Sequence, residues 1–259
     1  MPEAILRVEN LSKNYGKFAA VKEVSFELKK GEVFGFLGPN GAGKTTTIKV
    51  CTGLLKPTEG RVLIGGFDIV KQPVEAKALL GYVPDNPFLY DKLTGREFVR
   101  FVANLYNVQN PNLHEQRIQE LFDSFEMSDK IDELIQSYSR GMRQKVALIS
   151  ALTHNPQILF VDEPTANLDP RSARLTKDIF RALTRQGVSV FMSTHIMEIA
   201  ERLCDRIGII HHGELVALGT LSELNQQTAV KGSTLEDIFL ELTGDFDIDT
   251  RKLLEELGS

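Results

Sequence analysis

The segment that most constrains what this chain can fold into is Gly38-Pro39-Asn40-Gly41-Ala42-Gly43-Lys44-Thr45-Thr46. It fits the pattern G-x-x-x-x-G-K-[ST] and directly follows the short apolar run Val33–Leu37. Glycines let successive backbone N–H groups converge on an anion, and the N-terminus of a following helix adds partial positive charge. The segment therefore predicts a loop, between a strand and a helix, that binds the phosphates of a nucleoside triphosphate.

Two side chains at the end of this loop carry most of its expected chemistry. We expect Lys44 to reach the β- and γ-phosphates and the hydroxyl of Thr45 to bind Mg²⁺. The alternative is a tight glycine turn that joins a strand to a helix and binds nothing. The Lys-Thr pair at this offset, together with the strand upstream, favours phosphate binding over a plain turn.

Composition narrows the class of protein. Of the 259 residues, 42% are hydrophobic and 25% are charged, which is ordinary for a globular protein with one large core or two lobes. The formal net charge is −5 and no basic block stands out, so we expect no nucleic-acid partner.

We expect no secretion signal, membrane span or cysteine-based metal site. The N-terminus lacks a basic-then-apolar pattern, and no run approaches the roughly 18–20 apolar residues that span a bilayer. The chain alone is therefore expected to be soluble, with any membrane role provided by a partner. Cys51 and Cys204 lie far apart and fit no metal or redox spacing, so we interpret them as buried thiols in a reducing cytosol.

Hydrophobic patterning predicts strands that alternate with helices. Short apolar runs predict strands at Ile5–Leu11, Val21–Leu28, Val33–Leu37, Arg61–Ile64, Ile158–Val161, Val188–Phe191 and Ile207–Ile210. Helical spacing dominates from about residue 86 to residue 153, where Thr94-Gly95-Arg96-Glu97 is a capping box. The alternation predicts a parallel sheet covered on both faces, and the helical block is interpreted as an insertion into that α/β core.

Two acids end one of the predicted strands. Asp162 and Glu163 directly follow the apolar run Ile158–Val161, and open α/β proteins bind ligands at the carboxyl edge of the sheet. There Asp162 can hold Mg²⁺ opposite Thr45, and Glu163 can accept a proton from, or orient, the water that attacks the γ-phosphate. The alternative is a pair of solvated acids, which the phosphate loop makes the weaker interpretation.

A histidine follows another predicted strand. His195 comes directly after Ser193-Thr194, just past the run Val188–Phe191. From that position it could bind a γ-phosphate or the attacking water and so report which nucleotide is bound. The other four histidines are interpreted as structural or merely exposed, and His211-His212-Gly213 is interpreted as a hairpin turn between two short strands.

The segment that narrows the field further is Tyr138-Ser139-Arg140-Gly141-Met142-Arg143-Gln144-Lys145, at the start of a predicted helix. It resembles the signature motif of ATP-binding cassette (ABC) proteins, whose usual form is Leu-Ser-Gly-Gly-Gln. The motifs stand in this family's order, and the resemblance covers about residues 4–243. It implies an α/β fold of the P-loop NTPase type, with a mainly parallel central sheet, an antiparallel β subdomain and an inserted helical subdomain.

The resemblance also implies how the chain divides. An ATP-binding domain is expected at residues 4–243, with a core at about 4–85 and 156–220 and a helical subdomain at about 86–155. A helical tail is expected at 220–259. Within the tail, Ser233-Thr234-Leu235-Glu236-Asp237 predicts a capped helix similar to those of exporter-type subunits.

The same resemblance assigns roles to residues for the two expected cofactors, ATP and Mg²⁺. Tyr15 matches the aromatic residue that stacks on adenine. Ser139 and Gly141 match signature positions that touch a γ-phosphate bound to the opposite subunit, so a competent site is expected only between two nucleotide-binding subunits. Ala166-Asn167-Leu168-Asp169 resembles the D-loop that links the two sites, and His195 matches the switch histidine.

The expected site therefore has three groups of residues. The catalytic group is Lys44, Glu163 and His195. The Mg²⁺ ligands are Thr45, Asp85 and Asp162. The nucleotide is bound by Tyr15, Gly38, Pro39, Asn40, Gly41, Ala42, Gly43, Lys44, Thr45, Thr46, Ser139 and Gly141.

Three positions depart from the family pattern. Asp85 follows Pro84 where the family usually has glutamine, although an acid can still bind water or Mg²⁺. Arg140 replaces a glycine of the signature motif and adds positive charge near the expected phosphate. Met142 replaces the signature glutamine and removes a polar group. Since Glu163 and His195 are both present, an active ATPase is expected.

The resemblance implies the ATPase subunit of an ABC transporter, with export favoured over import. It would dock beneath separate transmembrane permease subunits, at the cytoplasmic face of the membrane, through a groove near Asp85–Asp91, and pair with a second nucleotide-binding subunit. One alternative is a non-transport ABC ATPase that acts on nucleic acid or ribosomes, and another is a regulatory subunit without turnover. The transported substrate and the choice between homodimer and heterodimer stay open.

Overall fold

The computed structural model describes residues 4–106, 111–164, 170–227 and 234–244. Its strands are β1 (Ala4–Tyr15), β2 (Phe18–Lys29), β3 (Val33–Leu37), β4 (Glu59–Ile64), β5 (Phe67–Asp68), β6 (Leu80–Val83), β7 (Ile158–Asp162), β8 (Ser189–Thr194), β9 (Arg206–His211) and β10 (Glu214–Gly219). The helices are α1 (Lys44–Cys51), α2 (Pro73–Ala78), α3 (Gly95–Leu105), α4 (Pro111–Ser124), α5 (Arg140–Leu152), α6 (Pro170–Arg185), α7 (Met197–Leu203), α8 (Leu221–Gln227) and α9 (Leu235–Thr243).

The strands form two sheets with different pairing. One sheet has four strands in the order β2-β1-β4-β5, and all of its pairs are antiparallel. The other has six strands in the order β10-β9-β3-β8-β7-β6, parallel except for the β9–β10 hairpin. This arrangement confirms the expected α/β fold of the P-loop NTPase type, with a mainly parallel sheet and a separate antiparallel one.

Three neighbouring parallel strands, β3, β7 and β8, are buried along their whole length. Every residue of β3, β7 and β8 is buried, which explains why the apolar residues within each of these strands are consecutive rather than alternating with polar ones. Phe160 of β7 and Phe191 of β8 lie 5.4 Å apart between ring centroids, and Phe34 of β3 lies 5.5 Å from Phe191. Phe26 of β2 stacks on Phe34, so the antiparallel sheet packs on the same aromatic cluster.

Local capping signals explain where two helices begin. At the start of α3, the Thr94 hydroxyl accepts a hydrogen bond from the Glu97 backbone N–H, and the Glu97 carboxylate accepts one from the Thr94 N–H. Thr234 and Asp237 form the same reciprocal pair at the start of α9. Both capping signals were predicted from sequence, and both are confirmed.

The helices between β6 and β7 share a core with the parallel sheet. Buried residues of α3, α4 and α5, including Phe98, Phe122 and Ile149, belong to one cluster with Val83 of β6 and Val161 of β7. The helix bundle is therefore packed directly against the sheet edge that carries Asp162. The boundaries of the proposed subdomains stay a prediction.

Some short elements were not predicted. They are β5, β6 and α2, which have 2, 4 and 6 residues. Windows this short carry too few residues for a hydrophobic period to show. Of the cysteines, Cys51 is buried as expected, whereas Cys204 is only partly buried. Within the described residues, no helix is both long and apolar enough to cross a bilayer.

His154 lies between the helix bundle and the sheet. Its Nε2 lies 2.9 Å from the Leu80 carbonyl, to which a neutral ring donates, and the ring stacks on Tyr106 with centroids 3.6 Å apart. The Nδ1 atom is buried without a hydrogen-bond partner. Burial lowers the pKa of His154 from 6.5, and the Leu80 carbonyl offsets part of that effect.

We expect His154 to make the protein less stable in mild acid. Because its folded-state pKa is lowered, the unfolded chain binds more protons than the folded one, so this contribution to stability is lost as pH falls below 6.5. Urea midpoints at pH 7.5 and pH 5.5 measure the loss. His154→Asn should reduce the pH dependence and His212→Asn, at an exposed position, should not. Parallel pH profiles for wild type and His154→Asn would contradict the assignment.

Candidate functional site

An open cavity of about 380 Å³ lies at the carboxyl end of the parallel strands. It collects most of the predicted site residues from four separate parts of the chain. Its lining consists of Tyr15, Phe18, Ala20, Asn40, Gly41, Gly43, Lys44, Thr45, Thr46, Asp85, Asp162 and Glu163.

At two positions of the loop before α1, a residue with a side chain would clash with the neighbouring backbone. Gly43 has φ +112°, and a Cβ there would lie 2.6 Å from the Ala20 carbonyl oxygen. A Cβ on Gly38 would lie 2.3 Å from the Ile210 carbonyl oxygen. These close approaches hold the loop against neighbouring strands and direct the N-terminus of α1 toward the cavity. This geometry is compatible with the expected phosphate-binding loop.

Lys44 is the first residue of α1 and is buried, with only 6% of its surface exposed. Its Nζ donates to the carbonyl oxygens of Gly38 at 2.7 Å and Pro39 at 3.1 Å. The Glu163 carboxylate lies 3.7 Å away. Burial lowers the pKa of Lys44, and the negative charges of Glu163 and Asp162 offset part of that effect. The loop thus holds a poorly solvated cation where phosphate charge would compensate it.

Glu163 stands immediately after β7 with φ +51°, a left-handed conformation that is uncommon for a residue with a side chain. Its Oε1 lies 3.0 Å from Nδ1 of His195. Its Oε2 is buried without a hydrogen-bond partner. Because Glu163 lines the cavity, its carboxylate is suited to accept a proton from a substrate molecule bound there.

Asp162 is the last residue of β7 and is 3% exposed. It pairs in register with Ser193 of β8, whose hydroxyl donates to Asp162 Oδ1. The cavity also exposes Thr45 and Asp85, and the Asp85 carboxylate accepts a hydrogen bond from the Asn86 side-chain amide at 3.0 Å. The sequence-predicted Mg²⁺ ligands therefore line one cavity.

The oxygen atoms that line the cavity are suited to a Mg²⁺ ion that also binds water and substrate, rather than to a metal held entirely by protein ligands. Thr45, Asp85 and Asp162 provide only oxygen atoms, which are the ligands that Mg²⁺ prefers. Among the described residues, no three histidine, cysteine or acidic side chains converge closely enough to hold a metal ion. Mg²⁺ usually takes one or two protein ligands and completes its shell with water and substrate phosphates, as these residues would allow.

Two aromatic side chains, Tyr15 and Phe18, line one side of the cavity. Tyr15 and Phe18 face each other in register at the turn between β1 and β2, and both side chains are exposed. The Lys13 ammonium lies 5.5 Å from the centre of the Tyr15 ring. Tyr15 was expected from the family resemblance, whereas Phe18 was missed. Its position three residues after Tyr15, across a two-residue turn, was the available signal.

Ser139 and Gly141 stand apart from this cavity, because neither is among its lining residues. Ser139 is the N-cap of α5, and its exposed hydroxyl accepts a hydrogen bond from the Met142 N–H at 3.3 Å. Arg143 fixes this helix start by donating to the Asp91 carboxylate at 2.7 Å. Within one chain, the predicted signature residues therefore lie apart from the cavity that contains Lys44. The segment at 166–169, expected to resemble the D-loop, lies outside the described residues.

Comparison with protein families gives one match over more than half of the chain. The sequence profile of the ABC transporter family matches residues 21–166. The matched segment contains the phosphate loop, the start of α5 and both acids at the end of β7.

Two curated relatives illustrate the similarity. The linearmycin resistance ATP-binding protein LnrL of Bacillus subtilis is 40% identical over 220 residues, which cover 85% of this chain and 70% of that protein. The probable multidrug ABC transporter ATP-binding protein YbhF of Escherichia coli is 37% identical over 95% of this chain. The chain spans only 43% of the length of this second relative.

Two solved structures share the fold. An ATP-binding subunit of an ABC transporter superposes with a TM-score of 0.87 at 33% identity, covering 92% of this chain and 99% of that one. The ATP-binding cassette MJ0796, a dimer bound to ADP and Pi after hydrolysis, superposes with a TM-score of 0.76 at 26% identity. That match covers 83% of this chain and 98% of the cassette.

Proposed function

This chain belongs to the ABC transporter family as an ATP-binding ATPase, and we propose that it drives transport through membrane-spanning subunits that are separate chains. The observation that carries the proposal is the cavity in which Lys44, Asp162 and Glu163 meet at the end of the parallel sheet. The direction we propose is export. Its support is that two similar proteins carry names that refer to resistance and multidrug transport.

Different residues of the cavity have different roles in ATP hydrolysis. The backbone N–H groups of Asn40–Gly43 and the Lys44 ammonium bind the phosphates of ATP, and Tyr15 and Phe18 contact the adenosine end. Glu163 accepts a proton from the attacking water, and His195, 3.0 Å from its Oε1, holds that carboxylate in place. Mg²⁺ bound by Thr45, Asp162 and Asp85 would supply charge compensation for the phosphate oxygens.

The competent site is proposed to form between two subunits. The cavity around Lys44 is open on its outer side and contains no residue of α5. The N-terminus of α5, capped by Ser139, has exposed backbone donors and partial positive charge but no base. Ser139 of the partner subunit would therefore complete the phosphate site, so that ATP holds the two subunits together and hydrolysis releases them. A relative that is dimeric with ADP and Pi supports this arrangement.

The proposed docking site for the membrane subunits is an apolar groove of about 460 Å³ between the helix bundle and the sheet. Phe88 lines the groove and is 88% exposed, and Tyr90, which lies edge-on to Phe88, is half exposed. Leu89, between them, is buried. The groove is lined mostly by apolar side chains, including Leu80, Tyr82, Pro84, Pro87, Phe98, Val102, Tyr106 and Ala151. Such a patch is typical of a protein interface, and it would place the chain at the cytoplasmic face of a membrane.

A charge in this groove should separate the chain from its membrane subunits. Phe88→Glu is expected to lower their co-purification from detergent-solubilised membranes by about 10-fold or more, because an exposed aromatic anchor is replaced by a charge. Mass spectrometry identifies the captured membrane-spanning proteins. Val216→Glu, at a partly exposed residue of β10, is the matched control and should leave capture unchanged. Capture of RNA instead of membrane proteins by the wild type would contradict the proposed function.

A further inference from the structure

Ser193 holds both acids of the candidate site from a single position. It is fully buried in β8 and pairs in register with Asp162 of β7. Its hydroxyl donates to Asp162 Oδ1, and its carbonyl oxygen accepts a hydrogen bond from the Glu163 N–H at 3.1 Å. One residue therefore fixes the carboxylate of Asp162 and the backbone from which Glu163 extends.

The hydrogen bond matters because little else sets the plane of the Asp162 carboxylate. The terminal torsion of an aspartate has a broad energy profile, so a bonded partner decides how its two oxygens point. With Oδ1 held by Ser193 on the neighbouring strand, the rotation that could turn the other oxygen away from the cavity is restricted. Partners of this kind, which orient a metal ligand without touching the metal, strongly affect metal affinity.

We propose that Ser193 is a positioning residue that orients Asp162 for the divalent cation bound with ATP. This inference rests on the proposed nucleotide site, where Asp162 is a Mg²⁺ ligand. Ser193 itself should touch neither the cation nor the nucleotide, because it is fully buried and does not line the cavity. Its effect therefore appears in how strongly the cation tightens nucleotide binding.

The test measures the affinity of a non-hydrolysable ATP analogue once in EDTA and once in Mn²⁺. The affinity in Mn²⁺ divided by the affinity in EDTA gives the contribution of the cation. Ser193→Ala is expected to reduce that ratio by about 10- to 100-fold while the affinity in EDTA stays near the wild-type value. Ser193→Thr, which keeps the hydroxyl on a β-branched side chain suited to a strand, should restore most of the ratio. The EPR spectrum of bound Mn²⁺ gives a second readout that does not depend on turnover.

A matched control exists on the same strand. Ser189 is also fully buried, and its hydroxyl bonds with the Gly31 N–H and the Lys29 carbonyl at the opposite end of β8. Ser189→Ala should lose stability but leave the Mn²⁺ ratio unchanged. A normal ratio in Ser193→Ala, or an equal loss in Ser189→Ala, would overturn the inference alone. A wild-type protein that bound no ATP analogue would overturn the proposed function and this inference with it.

Discussion

Glu163→Gln is expected to lower ATP turnover by about 10²- to 10⁴-fold, the range over which a general base contributes, while ATP remains bound. Glutamine keeps the size and position of the carboxylate and can still hydrogen-bond His195. It cannot take a proton from the attacking water, because an amide is not basic enough to do so. It also removes a negative charge that lies 3.7 Å from Lys44 and would repel phosphate.

Turnover is measured as phosphate release from the assembled complex, and binding is measured with a fluorescent ATP analogue. Glu198→Gln removes an exposed carboxylate from the first turn of α7 and serves as the control with unchanged turnover. Phosphate release within about 3-fold of wild type in Glu163→Gln would assign less than 1 kcal/mol of the barrier to this residue and contradict its role as the base.

Lys44→Ala is expected to weaken ATP binding by about 10- to 100-fold, because hydrogen bonds to charged groups contribute about 1.5–3 kcal/mol. The substitution removes a buried ammonium that lies 3.7 Å from the Glu163 carboxylate. It also leaves the Glu163 carboxylate without the Lys44 ammonium that partly balances its charge, so repulsion of phosphate adds to the loss. Calorimetry with ATP, in the presence of Mg²⁺, measures the affinity.

Lys49→Ala is the matched control for this variant. Lys49 lies on the same helix but is exposed, and it is absent from the cavity lining. Its loss should change affinity by less than about 2-fold, since isolated surface charges contribute little. Equal affinities of Lys44→Ala and Lys49→Ala for ATP would show that Lys44 does not bind phosphate.

Local chemistry in the sequence was enough to predict the parts of the site that lie close together in the chain. Glycine spacing predicted the loop before α1, and a run of apolar residues ending in acids predicted that Asp162 and Glu163 stand at the edge of a parallel sheet. These signals are reliable because a backbone turn and a buried strand impose their own residue types. The topology of the sheet then brought Asp162 and Lys44 into one cavity, as expected.

Contacts between distant elements could not be predicted in the same way. The hydroxyl of Ser193 is one of many strand serines until the register of β7 and β8 places it against Asp162. Phe18 is an unremarkable aromatic residue until the turn after Tyr15 places it on the cavity wall. The unusual backbone of Glu163 is also invisible in sequence, because non-glycine residues with positive φ carry no fixed signature.

The structure explains some of the three departures from the family pattern, at residues 85, 140 and 142, better than others. Asp85 lines the cavity, so a carboxylate takes the place of the usual amide within reach of the nucleotide site. Arg140 is the first residue of α5 and is exposed, so it adds a positive charge at the N-terminus of this helix. Nothing in the structure of one chain explains Met142.

Sharing of each ATP site between two copies of this chain is tested most directly by light scattering of Glu163→Gln. With saturating ATP and Mg²⁺, this variant should form a dimer of twice the 28.9 kDa of one chain, and it should be monomeric with ADP. Adding Ser139→Arg to the same variant should leave a monomer, because a large side chain at the start of α5 blocks the partner's phosphate. A monomer of Glu163→Gln at saturating ATP, or a dimer that Ser139→Arg does not disturb, would contradict the shared site.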